Sequence, residues 1–106
     1  MRIAFKMKLH EGNEKEYEKR HNPIWPELEE VLKEHGVITY SIFLDKETNN
    51  LFGYAEIKDR KKWDEVANTG VCRKWWVYMA PLMEVNEDNS PKSEELKEVF
   101  HIEKSN

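Results

Sequence analysis

One cysteine, Cys72, stands in a chain of 106 residues. No internal disulfide can staple the fold, and a reducing cytosol is the simplest home for such a chain. The thiol cross-link left open is one from Cys72 to a partner chain. Long apolar runs are missing as well. Hydrophobic residues make up 39% and charged residues 36% of the sequence, and the mean hydropathy is -0.88, which excludes a membrane-spanning helix. Basic charge is not in excess: 17 Lys and Arg face 21 Asp and Glu, for a net charge of -4. With no basic stripe interleaved with aromatics, a binder that tracks nucleic-acid phosphates is excluded too. The four histidines, His10, His21, His35 and His101, show neither His-x-His nor HExxH spacing, so no metal site is expected. Neither repeats nor low-complexity stretches divide the sequence, which reads as one domain over 1–106 with a polar tail at 103–106. The first residues enter a strand pattern directly, with no signal or transit segment ahead of it. A chain of this size buries roughly 60 to 68 percent of its surface on folding, enough for a core but not for a large interior cavity.

What is present is strong periodicity. Arg2 to Leu9 alternates, with Ile3, Phe5, Met7 and Leu9 on one face, and predicts a half-buried strand. Val37 to Leu44 and Leu51 to Ile57 predict a hairpin across the polar turn Asp45 to Asn50. Asp59 is a good N-cap for a short helix carrying Trp63, Val66 and Ala67. Asn68, Thr69 and Gly70 then interrupt it before a second helical run from Val71 to Met83. Asn86 to Pro91 is a loop, and Leu96 to Ile102 predicts a final strand. The order β, α, β, β, α, β is that of a ferredoxin-like α+β sandwich, with a four-stranded antiparallel sheet and helices on one face only. Strands one to three carry apolar side chains on both faces, so the uncovered face predicts a dimer, with two sheets pressed together.

The stretch YEKRHNPIWPELEEVLKEHG, from Tyr17 to Gly36, sets a histidine and two prolines in an amphipathic helical pattern. Steps of three and four from Tyr17 reach His21, Ile24, Leu28, Val31 or Leu32, and His35, so Tyr17 and His21 are expected to point inward. Pro23 makes Asn22 the expected break and the cap of a restarted helix. Gly36 suits the left-handed terminator. An imidazole there can exchange protons at neutral pH, or it can be a hydrogen-bonded structural group. In RKWWVYM, Val71, Trp75, Tyr78 and Leu82 form one helical stripe and Cys72, Trp76, Met79 and Met83 its neighbour. The indoles are either core packing or a surface on which a sugar ring stacks, with N–H groups for its hydroxyls. Tyr40 shares a strand face with Ile38, Ile42 and Leu44, and its hydroxyl needs a partner in the core or in a site. Glu27, Glu29, Glu30 and Glu34 face away from the stripe as solvated helix charges.

Together these residues suggest a small polyol or sugar pocket with one acid/base group, without naming a reaction. The segments YEKRHNPIWPELEEVLKEHG, TYSIFLDKETNNLF, VCRKWWVYM and NEDNSPKSEELKEVF resemble, in the same order, the L-rhamnose mutarotase family, over nearly the whole chain. That resemblance implies a cytoplasmic homodimer of ferredoxin-like subunits that interconverts the α and β anomers of L-rhamnose without cofactor or metal. It implies His21 as proton donor and Tyr17, Tyr40, Trp75 and Trp76 as sugar-binding residues. The expected roles are His21 as acid on the ring oxygen, with a tyrosine hydroxyl or a water handling the anomeric proton. A cofactor-free monooxygenase, or a sugar-binding module without catalysis, are the alternatives on the same scaffold.

Overall fold

Alternating apolar side chains build a sheet whose one face collects the helices. The structure is a computed structural model describing residues 1–104. Among the described residues, the strands are β1 (Arg2–Lys8), β2 (Val37–Asp45), β3 (Asn50–Ile57) and β4 (Glu94–Leu96). The helices are α1 (Glu14–Arg20), α2 (Pro26–Glu34), α3 (Arg60–Glu65) and α4 (Gly70–Met79), with 3₁₀ turns at 66–68 and 80–82. The sheet is antiparallel, in the order β2-β3-β1-β4. This is the ferredoxin-like arrangement that the element order predicts. Ile3, Met7, Leu51, Ala55 and Ile57 are buried on the helix face, where Tyr17, Leu28, Trp75 and Met79 complete the core. Each fully buried aliphatic side chain contributes about 1.5–3 kcal/mol before its entropy cost.

Local chemistry sets the helix ends. The Asp59 carboxylate accepts from the Lys61 amide at 3.0 Å, and the Thr69 hydroxyl accepts from the Cys72 amide at 3.4 Å, so the interruption between α3 and α4 is a genuine restart. Gly36 ends α2 with φ +89, in the left-handed region that glycine adopts without strain.

Three expectations are corrected. The helix restarts at Pro26 rather than beside Pro23, because proline suits the first helical position and forces the preceding Trp25 into an extended conformation (φ -55, ψ 127). Asn22 caps nothing downstream; its side-chain amide donates back to the Glu18 carbonyl at 2.8 Å. The helix predicted over Val71 to Met83 stops at Met79 and tightens into the 3₁₀ turn containing Pro81, since proline has no amide hydrogen to continue the ladder. The final strand is Glu94–Leu96 rather than Leu96 to Ile102. Beyond it, Val99, Phe100 and Ile102 are 86%, 76% and 79% exposed, because none of the described residues of this chain covers these apolar side chains. Ion pairs from Glu94 to Lys6, Glu95 to Arg60 and Glu98 to Arg2 tie this short edge to the body. Of the polar tail at 103–106, Ser105 and Asn106 lie outside the described residues.

The other sheet face stays open, with Phe43 65% and Tyr54 37% exposed. On the helix face, Gly53 serves a close approach: a Cβ there would lie 2.5 Å from the Phe5 ring, which spreads over β3 in the space a side chain would fill. Gly53→Ala is therefore expected to destabilise the fold by about 1–3 kcal/mol by displacing that ring. Urea unfolding would measure the loss, and a variant as stable as the parent would contradict the packing.

Candidate functional site

The helix face of the sheet is not fully covered. An open trough of about 1690 Å³ runs along it, larger than the usual small-ligand pocket of about 300–1,000 Å³. Only part of it concentrates polar chemistry. Helix α1 carries acids Glu14 and Glu16 in its first turn and bases Lys19 and Arg20 in its last, which complements the helix dipole. It delivers Tyr17 into the core at 8% exposure. Arg20 binds the Glu16 carboxylate at 2.7 Å and the Tyr78 carbonyl at 2.5 Å, with its guanidinium 4.2 Å above the Tyr78 ring. The end of α1 is thereby fastened to α4.

His21 follows directly, at the point where α1 tightens. Its backbone amide donates to the Glu18 carbonyl at 3.1 Å, a 3₁₀ bond one residue shorter than the helical pattern. The Tyr17 carbonyl, which a continued helix would occupy, instead accepts from His21 Nδ1 at 2.9 Å. A carbonyl can only accept, so Nδ1 holds the proton in the neutral ring and Nε2 carries the lone pair. The ring lies 4.5 Å from the Tyr17 ring at 34° and 5.1 Å from Trp75 at 87°. Burial lowers the His21 pKa from its usual 6.5, opposed by the bond to the Tyr17 carbonyl, and favours the neutral imidazole.

Tyr17 and Tyr40 shift the other way. Burial pushes the Tyr17 hydroxyl well above its ordinary value. For Tyr40 burial dominates again, and the neighbouring Tyr17 and Cys72 add to it. Both hydroxyls thus stay protonated. Among the described residues no buried side-chain nitrogen or oxygen lacks a partner. Both tyrosines line the trough, as do His21, Trp75 and Trp76.

The five residues expected at a site therefore gather along one trough, through different contacts. The Tyr17 ring meets His21 and His21 meets Trp75, Tyr40 lines the same trough, and Trp76 is half-buried with the Arg73 guanidinium 5.7 Å from its ring. The buried stripe of α4 is Cys72, Trp75 and Met79, which runs between the two stripes drawn from the sequence and leaves Tyr78 39% exposed. Cys72 is buried and free, and burial pushes its thiol up to about 11. A disulfide from Cys72 to a partner chain is thus corrected: the sulfur is neither exposed nor ionised. Among the described residues no group of three or more His, Cys, Asp or Glu could hold a metal ion.

Two indoles escaped the sequence reading. Trp25 packs edge-on against Trp75 at 5.0 Å and 81°, so the loop from His21 to Trp25 contacts Trp75 through both of its end residues. Its spacing of four from His21 offered no clue, because the segment between them is not helical. Trp63 sits 5.6 Å from Tyr40 at 74° and lines the trough; the sequence placed it on a short helix and gave it no role in a site.

Comparison with known proteins bears on this geometry. A model of the L-rhamnose mutarotase family matches residues 2–102. An L-rhamnose mutarotase from Lachnoclostridium phytofermentans is 57% identical over 103 residues, covering 97% of this chain and 99% of that protein. The crystal structure of an L-rhamnose mutarotase from Formosa agariphila superposes with a TM-score of 0.89 at 48% identity, covering 97% of this chain and 99% of that one. A dimeric ferredoxin-like protein from an uncultured marine organism has a TM-score of 0.68 at 14% identity, covering 99% and 98%, a likeness of fold alone. With the match running through every element that frames the trough, the chain belongs to the L-rhamnose mutarotase family.

Proposed function

We propose that this protein interconverts the α and β anomers of L-rhamnose, with His21 as the proton-transferring residue. The observation that carries the reading is the Nδ1 bond to the Tyr17 carbonyl, which commits Nε2 to the sugar. Protonated Nε2 gives its proton to the ring oxygen while the anomeric hydroxyl loses its own. The bond from C1 to the ring oxygen breaks and the aldehyde forms. Rotation about C1–C2 presents the other face, the C5 hydroxyl oxygen attacks, and its proton returns to Nε2. Tyr17 and Tyr40, kept protonated by burial, act as hydrogen-bond donors to the sugar rather than as bases, which leaves a water to carry the anomeric proton. Trp75 and Trp76 supply surfaces on which the pyranose stacks. No cofactor or metal enters this chemistry. The reading sets the enzyme in the cytoplasm, where the free thiol of Cys72 stays reduced.

The active form is proposed to be a homodimer. Its support is the open sheet face bearing Phe43 and Tyr54, together with the exposed apolar residues Val99, Phe100 and Ile102, apolar surface that a second copy could cover.

Exchange NMR on L-rhamnose tests the activity. The wild type should raise the anomer exchange rate above its buffer value, and His21→Ala should lower that acceleration by about 10²- to 10⁴-fold while keeping the fold. A rate left at the buffer value by a wild type that binds rhamnose would mark a binding module, and oxygen uptake with an aromatic substrate would mark a monooxygenase.

The pH profile tests the direction of proton transfer. Donation requires imidazolium, whose population grows as pH falls through a His21 pKa lying below 6.5. The acceleration, corrected for buffer, should fall between about pH 6 and pH 8; a rise over that range would make neutral His21 a base and sink the acid role. Sedimentation should give twice the 12.8 kDa chain mass. Phe43→Glu should shift the protein toward that of one chain, and a wild type that sediments as a monomer would refute the dimer.

A further inference from the structure

The trough has a second aromatic wall, of which the reaction as described uses only Tyr40. Phe5, Tyr40 and Trp63 form a triangle of rings: Phe5 to Tyr40 at 6.1 Å, Phe5 to Trp63 at 6.1 Å and Tyr40 to Trp63 at 5.6 Å. They pack against the buried patch of Ile3, Ala55 and Ile57. All three rings line the trough. Phe5 reaches its place because Gly53 leaves room beneath it. Trp63 is braced through its helix, where Arg60 grips the Glu95 carboxylate with bonds of 3.2 and 2.7 Å and also meets Asp64.

Tyr40 belongs to both ends. It lines the trough with Tyr17 and His21, and its ring meets Trp63 at 5.6 Å. A sugar bonded to His21, Tyr17 and Tyr40 would extend along the trough toward Phe5 and Trp63, which line it too. L-rhamnose has one apolar substituent, the methyl on C5, and C5 is bonded to the same ring oxygen that His21 would protonate. On the mutarotase reading, on which this inference rests, we propose that Trp63, backed by Phe5, contacts this methyl and sets the preference for a sugar that carries it. An indole face stabilises a methyl by burial and dispersion and offers nothing to a position that lacks one.

L-lyxose is the probe, since it matches L-rhamnose except that the methyl is replaced by hydrogen. The observable is the ratio of exchange efficiencies for the two sugars on one preparation, in which the fraction of active protein cancels. One methyl in an apolar pocket is worth about 10- to 200-fold. The wild type should therefore favour L-rhamnose by at least about tenfold, and Trp63→Ala should bring the ratio to within about twofold. Trp63→Phe, which keeps an aromatic face and the fold, should retain most of the preference. Trp76→Ala should weaken both sugars together and leave the ratio near its wild-type value. A wild type that handles the two sugars equally, or a Trp63→Ala variant with an undiminished ratio, overturns the assignment of the methyl to Trp63 and leaves the mutarotase reading intact. A wild type that accelerates neither sugar overturns that reading and this inference with it.

Discussion

Everything at the site depends on one carbonyl. In a continuous helix the Tyr17 oxygen would accept from the backbone amide of His21. Here the chain tightens by one residue, the amide turns to Glu18, and the freed oxygen takes the imidazole Nδ1 proton instead. That exchange fixes the tautomer and the ring's direction together, and a residue that can exchange protons becomes one with a single working nitrogen. His35 shows that the bond is not sufficient: at the end of α2 its Nδ1 meets the Val31 carbonyl at 2.8 Å, yet its own amide also binds Val31 and no aromatic ring flanks it. The difference at His21 lies in Tyr17 on one side and Trp75 on the other.

The loop between α1 and α2 explains how that environment is held. His21 and Trp25 bracket Trp75, and Trp25 starts α2 with its carbonyl accepting from the Leu28 and Glu29 amides at 3.0 Å. Arg20 ties the preceding residue to Tyr78 on α4 by a hydrogen bond and by stacking. Helix α4 therefore forms the wall against which the imidazole is set. Such enclosure favours the neutral ring by desolvation and costs affinity for the proton, which suits the proton-transferring role proposed for it. Tyr17 and Tyr40 are moved the opposite way, so environment rather than residue type sets which groups keep their protons.

Much of this was legible in the residues. The alternation in β1 to β3, the cap Asp59, the interruption at Asn68, Thr69 and Gly70, the terminator Gly36 and the break near Pro23 each follow from short-range rules and hold in the fold. The errors share a cause. Pro26 and Pro81 decided where helices begin and end, whereas the apolar period alone carried the pattern past Met79. Leu96 to Ile102 had the composition of a strand, but a strand needs a neighbour, and the subunit provides one only as far as Leu96. The polar residues of the site were recognisable as types, Tyr17 and His21 from their helical spacing and Trp75 and Trp76 from their adjacency.

Local sequence chemistry by itself determined the element order, the inward face of each strand, and the presence of a titratable ring at a helix break, because each depends on spacing of a few residues. Tertiary structure decided which nitrogen of His21 is free, that Tyr40 meets Phe5 and Trp63, that Trp25 packs against Trp75, and that Trp63 stands in the wall of the trough. Those facts depend on contacts between segments far apart in the chain, where packing of particular rings, not periodicity, sets the distances.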